Sequence, residues 1–312
     1  MYSNNNTVPV SRKIILICLA VILIAVITAN LWRLNPVDPD SVLALDIYSE
    51  ILKTVNIVGE EYTPLTTTLG NYAVKKVSQE PLTAALMVRI LKSAGLQGNS
   101  VAAINASGSF PGFTLAALSA CTVLGIDAYV IASVGASSYG ANVPGNTIAD
   151  MLLQEEVQKL RFTLLAVSPG ATNDQGLEID HDELERVSGM LEAQGIPFIQ
   201  PSNLMEAIKF RETMFTEKGC TVLINIGGNH ASSGANIDLS LMSGLIDPAK
   251  VNLTGDSGLI QSFLKRNLPV IQILNVRKLY ADYGLDFDQD GRLLGNSKKL
   301  LKLGKRHHLR LL

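Results

Sequence analysis

Five segments, each following a short apolar run, hold most of the residues that could do chemistry. The first is Asn105-Ala-Ser107-Gly108-Ser109-Phe-Pro111-Gly112. The second is Gly135-Ala-Ser137-Ser138-Tyr139-Gly140-Ala-Asn142-Val-Pro144-Gly145. The third is Ser168-Pro-Gly170-Ala-Thr172-Asn173-Asp174-Gln175-Gly176. The fourth is Gly227-Gly228-Asn229-His230-Ala-Ser232-Ser233-Gly234, and the fifth is Asn275-Val-Arg277. Glycine lets the backbone approach a ligand closely, and N–H groups at helix starts attract anions. Such loops also make ordinary turns and N-caps, so one of them alone says little. Five on one sheet edge predict an anion pocket lined by Asn105, Ser107, Ser137, Ser138, Tyr139, Asn142, Thr172, Asn173, Gln175, Asn229 and Arg277.

Nucleophilic catalysis is a second chemistry that these loops permit. His230 is the only histidine in them: His181 stands at a predicted helix start, and His307 and His308 lie near the C-terminus. Ser109, Asp174 and His230 supply a nucleophile, an orienting carboxylate and a base in the chain order used on α/β-hydrolase folds. The G-x-S-x-G elbow is absent, because Ser107 stands where its first glycine belongs. Neither G-x-x-x-x-G-K-[ST] nor a G-x-G-x-x-G after a strand occurs, so no nucleotide and no other cofactor is expected. Without H-E-x-x-H or C-x-x-C, no metal site is expected either. Asp286, Asp288, Asp290 and Gly291 fit the start of a calcium loop, but Ser297 replaces its bidentate Glu, and a hairpin turn is the simpler reading. Gly255-Asp256-Ser257-Gly258 matches the tetrapeptide around a trypsin-like serine without the rest of that pattern, and reads as a helix N-cap.

The elements that must carry these loops follow from the apolar pattern. Strand-like runs occur at Val101–Asn105, Ala128–Val134, Phe162–Val167, Thr221–Ile226 and Pro269–Leu274. Helical stretches lie at Phe113–Leu124, Thr147–Leu160, Asp182–Gln194 and Asn203–Glu217, with a weaker one around Gly258–Arg266. Continuous apolar strands alternating with helices predict an α/β fold, a doubly wound and mainly parallel sheet covered on both faces. Two further helical patterns, at 40–58 and 81–94, precede it. Ligands of such sheets bind beyond the carboxyl ends of the strands.

Charge and hydropathy divide the chain further. Residues 34–297 hold all 28 acids against 17 Lys/Arg, about -11 by count. That acidic body argues against nucleic acid, whose phosphates it would repel. The 15 residues from Lys298 to Leu312 carry six Lys/Arg and no acid, and would suit an anionic surface or a solvated end. Near the start, Ile14–Ile27 is unbroken apolar sequence, extended uncharged to Leu31 and closed by Trp32 and Arg33. Eighteen helical residues span about 27 Å, close to a bilayer core. Arg12 and Lys13 precede the run, so the positive-inside rule places the N-terminus in the cytoplasm and the rest outside. A cleaved signal peptide and a buried core helix are the alternatives. Expected divisions are a cytoplasmic 1–13, a single-pass inner-membrane anchor at 14–32, a helical lead-in at 33–95, an extracytoplasmic α/β domain at 96–297 and a basic tail at 298–312. Cys121 and Cys220 sit in apolar contexts that suit free buried thiols.

The anchored start, together with Asn105–Gly112 (NASGSFPG), Ser138–Asn142 (SYGAN), Gly170–Gly176 (GATNDQG) and Gly227–Ala231 (GGNHA), resembles the bacterial poly-gamma-glutamate system protein family. The resemblance covers the chain to about residue 285 and leaves the tail without a counterpart. It implies a membrane-anchored accessory of poly-gamma-glutamate synthesis or export, with the polymer ligase and export subunits as partners. It carries over no catalytic residue. The expected ligand is then poly-gamma-glutamate or its glutamyl carboxylates. The alternatives are an acyl-transfer or amide-hydrolysing enzyme acting through Ser109, Asp174 and His230, and a structural subunit of the membrane complex.

Overall fold

The computed structural model describes residues 10–33, 37–234, 237–246, 251, 253 and 258–302. Its centre is a six-stranded sheet built from β1 (Val101–Ser107), β2 (Asp127–Ser133), β3 (Phe162–Ser168), β4 (Val222–Ile226), β5 (Gly244–Ile246) and β6 (Val270–Ile273). The spatial order is β3-β2-β1-β4-β6-β5, with all neighbours parallel except the antiparallel edge strand β5. The five long parallel strands are those expected from the apolar runs. The order grows outward from β1 in one direction, then restarts on its other side with β4. That reversal creates a crevice at the carboxyl ends of β1 and β4.

Helices cover both faces. Before and between the first strands come α1 (Val10–Arg33), α2 (Pro39–Thr54), α3 (Tyr72–Lys76), α4 (Leu82–Ser93) and α5 (Pro111–Leu124). Then follow α6 (Ile148–Leu152), α7 (Glu155–Gln158), α8 (His181–Glu192) and α9 (Leu204–Glu217). The last are α10 (His230–Ser233), α11 (Ile237–Leu241), α12 (Leu259–Lys265) and α13 (Val276–Asp282). Strand alternation divides the core. Ala102, Ile104 and Ala106 join α2, α4 and α5 on one face. Ala103, Leu223 and Val270 join Phe215 of α9 and Phe263 of α12 on the other. The lead-in helices α2 and α4 therefore share their core with the sheet.

Local sequence explains most of these elements. Pro111 opens α5 at a position that needs no N–H, and Gly125 closes it in the left-handed conformation. Asp38 caps α2, and Lys92 of α4 reaches it at 2.7 Å. Tyr48 of α2 is fully buried, with its hydroxyl between Ser78 O (2.8 Å) and Gly112 O (2.9 Å). The expected helix over Thr147–Leu160 is broken into α6 and α7, because Gln154 is extended (φ -64°, ψ 142°). Gln158 Nε2 donates 2.6 Å to Leu152 O across the break.

Asp286–Phe287 and Leu293–Leu294 form the antiparallel hairpin expected for this segment. Asp288 Oδ1 accepts from Asp290 N and Arg292 N, and no metal-ligand cluster occurs among the described residues. Cys121 and Cys220 are free and buried, which pushes both thiols up to about 12. Ser257 and most of the basic tail lie outside the described residues; 297–301 form one short 3-10 helix.

α1 is helical for 24 residues. Among the described residues no helix is long and apolar enough to cross a membrane.

Candidate functional site

The central strands are apolar until one row before their carboxyl ends. There Asn105 of β1, Asn225 of β4 and Gln272 of β6 stand side by side in register. Asn105 Nδ2 donates to Asn225 Oδ1 (2.7 Å), and Asn225 Nδ2 donates to Gln272 Oε1 (2.6 Å). All three are buried, and Gln272 Nε2 has no partner. A buried amide chain of this kind fixes side-chain orientation at the cost of desolvation, so it specifies geometry more than it adds stability. It lies beneath the crevice where the strand order reverses.

Arg211, from α9, closes the row from above and is 0% exposed. Its Nε donates to Asn105 Oδ1 (3.1 Å), Nη1 to Asp174 Oδ2 (2.7 Å) and Nη2 to Ser168 Oγ (2.8 Å). Ser168 Oγ in turn donates to Asp174 Oδ1 (2.7 Å). Both carboxylate oxygens of Asp174 are thus engaged by Arg211 and Ser168. Ala171, Asn173 and Asp174 have φ of 62°, 56° and 66°, a left-handed run that this network holds in place.

These contacts engage the residues of the expected triad separately. Among the described residues, no hydrogen bond joins Ser109, Asp174 and His230 to one another. His230 Nδ1 accepts from Asn173 N (3.2 Å), so the neutral ring carries its proton on Nε2. A triad histidine needs the opposite tautomer, with Nδ1–H on the carboxylate and Nε2 facing the serine. Ser109 Oγ instead accepts from Ser137 N (3.0 Å).

Four of the five loops are knit together. Gly108 N donates to Ser133 O (2.8 Å), Ala141 N to Gly108 O (2.7 Å) and Gly135 N to Pro169 O (2.8 Å). Asn229 ties the fourth loop in, with Oδ1 accepting from Asn105 Nδ2 (3.3 Å) and Nδ2 donating to Ser133 Oγ (3.2 Å). Gly227 has φ +100°, and a Cβ there would stand 2.6 Å from Ser107 Cβ. Only glycine lets the first and fourth loops meet so closely. The fifth loop stands apart: Arg277 donates to Phe287 O (3.1 Å) and stacks on that ring, facing the C-terminal hairpin.

Several other expected ligand contacts are spent on structure. Asn142 is buried and bonds Glu60 N, Glu60 O and Thr66 Oγ1, clamping the 60–68 segment onto the second loop. Gln175 Nε2 donates to Ser202 O (2.7 Å). Tyr139, at φ 61°, stacks edge-on with Tyr72 at 5.2 Å. Thr172 is exposed and hydrogen-bonds Glu178, holding that carboxyl below its usual range. Ser107 Oγ accepts from Ser109 N (3.2 Å). Ser138 N donates to Thr68 O (2.9 Å), while its buried hydroxyl has no partner.

Sequence reasoning missed Arg211 and Lys75. Lys75 lies on α3, is 3% exposed, and burial pulls its amine down to about 7. Its Nζ meets Ser137 Oγ (2.9 Å) and donates to Ser109 O. No local pattern marks either residue, since each acquires its partners from distant segments.

The donors left over matter most. Gly112 and Phe113, in the first turn of α5, are buried, and their N–H groups find no acceptor among the described residues. Among the described residues the hydroxyl proton of Ser109 and the Nε2–H of His230 are also unclaimed. The loops therefore hold donors that lack acceptors among the described residues. A cleft of 430 Å³ lies elsewhere, lined by Tyr72, Lys76, Gln79, Glu80 and Asp290–Arg292. No family model, curated protein or solved structure matches this chain.

Proposed function

We propose that this chain is a membrane-anchored, extracytoplasmic accessory of poly-gamma-glutamate synthesis or export that binds glutamyl carboxylates at the loops over the β1–β4 crevice. One observation carries the ligand class: among the described residues the knitted loops hold donors without an acceptor, including Gly112 N, Phe113 N, Ser109 Oγ and His230 Nε2. Donors at the N-terminus of the 14-residue helix α5 suit a carboxylate, whose oxygens only accept. The pathway rests on the motif resemblance in the four loops.

The anchor reading draws on α1. Its large apolar side chains that are described between Ile14 and Ile27 are 48–63% exposed, a surface that water disfavours and lipid accepts. The charge balance of the body opposes a polyanion at long range, so engagement is local to the loops or bridged by cations.

The test is calorimetric titration of the full chain in lipid nanodiscs with gamma-linked tetraglutamate. Saturable binding that does not weaken between low and physiological salt is expected. Asn229→Ala should weaken it at least tenfold, about 1.4 kcal/mol. No saturation by about 1 mM would remove this reading.

A further inference from the structure

Lys75 and Ser137 form a contact that ligand binding does not require. Lys75 is placed by α3, whose N-cap Asn71 accepts from Val74 N (3.2 Å). The amine lies 3.7 Å above the Phe110 ring, and no carboxylate pairs with it among the described residues. Ser109 O accepts one of its protons, and Ser137 Oγ stands 2.9 Å away on the remaining side. As placed, Lys75 Nζ donates to Ser137 Oγ; once the amine is deprotonated, the same 2.9 Å contact brings its lone pair within reach of the hydroxyl proton.

The geometry points to a nucleophile pair, separate from the expected triad, in which Ser137 Oγ takes an acyl group from an amide or ester with Lys75 Nζ as its base. As the Oγ–carbon bond forms at the substrate carbonyl, the hydroxyl proton passes to Lys75. The tetrahedral adduct then breaks its carbon–nitrogen or carbon–oxygen bond, and the departing amine or alcohol takes that proton from Lys75. Water, deprotonated by the same amine, cleaves the Ser137 ester, releasing the acid and restoring the hydroxyl. An amine held near neutrality serves in both directions, because it gives and takes a proton at comparable cost.

The surroundings fit a reacting serine. Ser137 N–H is held by Ser109 Oγ (3.0 Å), and Ser138 beside it keeps a buried hydroxyl without a partner. Ser109, which holds that N–H, is half-buried. Gly70 crosses close by: a Cβ there would lie 3.2 Å from Ser137 Oγ and 2.4 Å from Ser138 O. The amine has a carbonyl, a hydroxyl and a ring face as partners but no carboxylate among the described residues, so its charged form bears a desolvation cost that no counter-charge offsets.

The test uses the full chain in detergent and a fluorophosphonate probe, whose phosphorus Ser137 Oγ would attack with loss of fluoride. The expected result is one adduct per chain, mapped to Ser137 by peptide mass spectrometry and lost in Ser137→Ala. Its rate should rise through a midpoint near pH 7. Lys75→Met should cut the rate at least 100-fold at pH 8 and abolish the midpoint. Replacing a buried amine by an isosteric apolar chain leaves the fold intact, which a thermal melt verifies. Absence of any adduct on the folded chain, an adduct that survives Ser137→Ala, or one that depends on His230 would overturn the proposal. The probe bears no carboxylate, so this outcome is independent of tetraglutamate binding.

Discussion

Arg211 Nη1 lies 2.7 Å from Asp174 Oδ2, with the two side chains 0% and 1% exposed. The pair connects α9 on one face of the sheet to the left-handed third loop at its edge. Ion pairs this deep add little net stability, because desolvation offsets the attraction. Removing one partner is different, since it strands a buried charge. Arg211→Met should cost about 3–5 kcal/mol in urea unfolding. Arg211→Met combined with Asp174→Asn should recover part of that loss, since neither charge is then stranded. A loss in the double variant equal to the sum of the two single losses would show that the pair is not coupled.

Lys75 gives the fold a pH dependence with a defined sign. Its amine titrates at about 7 when folded and near 10.4 in an unfolded chain. Between these values the unfolded state binds more protons, so stability contributed at this site rises with pH. Below about 7 the buried charge imposes its full penalty, on the order of 4 kcal/mol. Thermal melts should show Lys75→Met more stable than the parent at pH 6.5, with the advantage shrinking towards pH 10. A difference that does not vary with pH would contradict the buried, unpaired amine.

Ser109 and His230 belong to different parts of the site. Ser109 holds Ser137 N–H, whereas His230 accepts from Asn173 N. Stability changes for Ser109→Ala and His230→Ala should therefore add to within about 0.5 kcal/mol in a double-mutant cycle. A larger coupling would restore a direct link between the two and with it the expected triad.

The sheet was readable because its strands are continuous apolar runs. Val101–Ser107 and Phe162–Ser168 each extend only one or two residues past the runs that mark them. The edge strand Gly244–Ile246 was not readable, being three residues long and marked by no alternation. Among the site residues, the spacing of Asn105, Asn229, Ser109 and Ser137 at strand ends brought them to one edge. Asn142 looked the same in sequence, yet its amide is consumed by Glu60 and Thr66, which lie about 80 residues away in the chain. Arg211 sits in a helix otherwise readable as an amphipathic surface element, and its burial depends on an aspartate from another loop. Lys75 lies in a segment without periodicity, a helix of only five residues. Pairings between distant segments leave no mark in local spacing, and both missed residues belong to that class.

Amide hydrogen exchange of the full chain in nanodiscs, with and without gamma-linked tetraglutamate, tests the proposed binding site most directly. Protection should appear in the segments 105–113, 135–142 and 227–234, where the free donors and the loops joined to them lie. Protection confined instead to the cleft around Lys76 and Arg292, or none at saturating ligand, would contradict it.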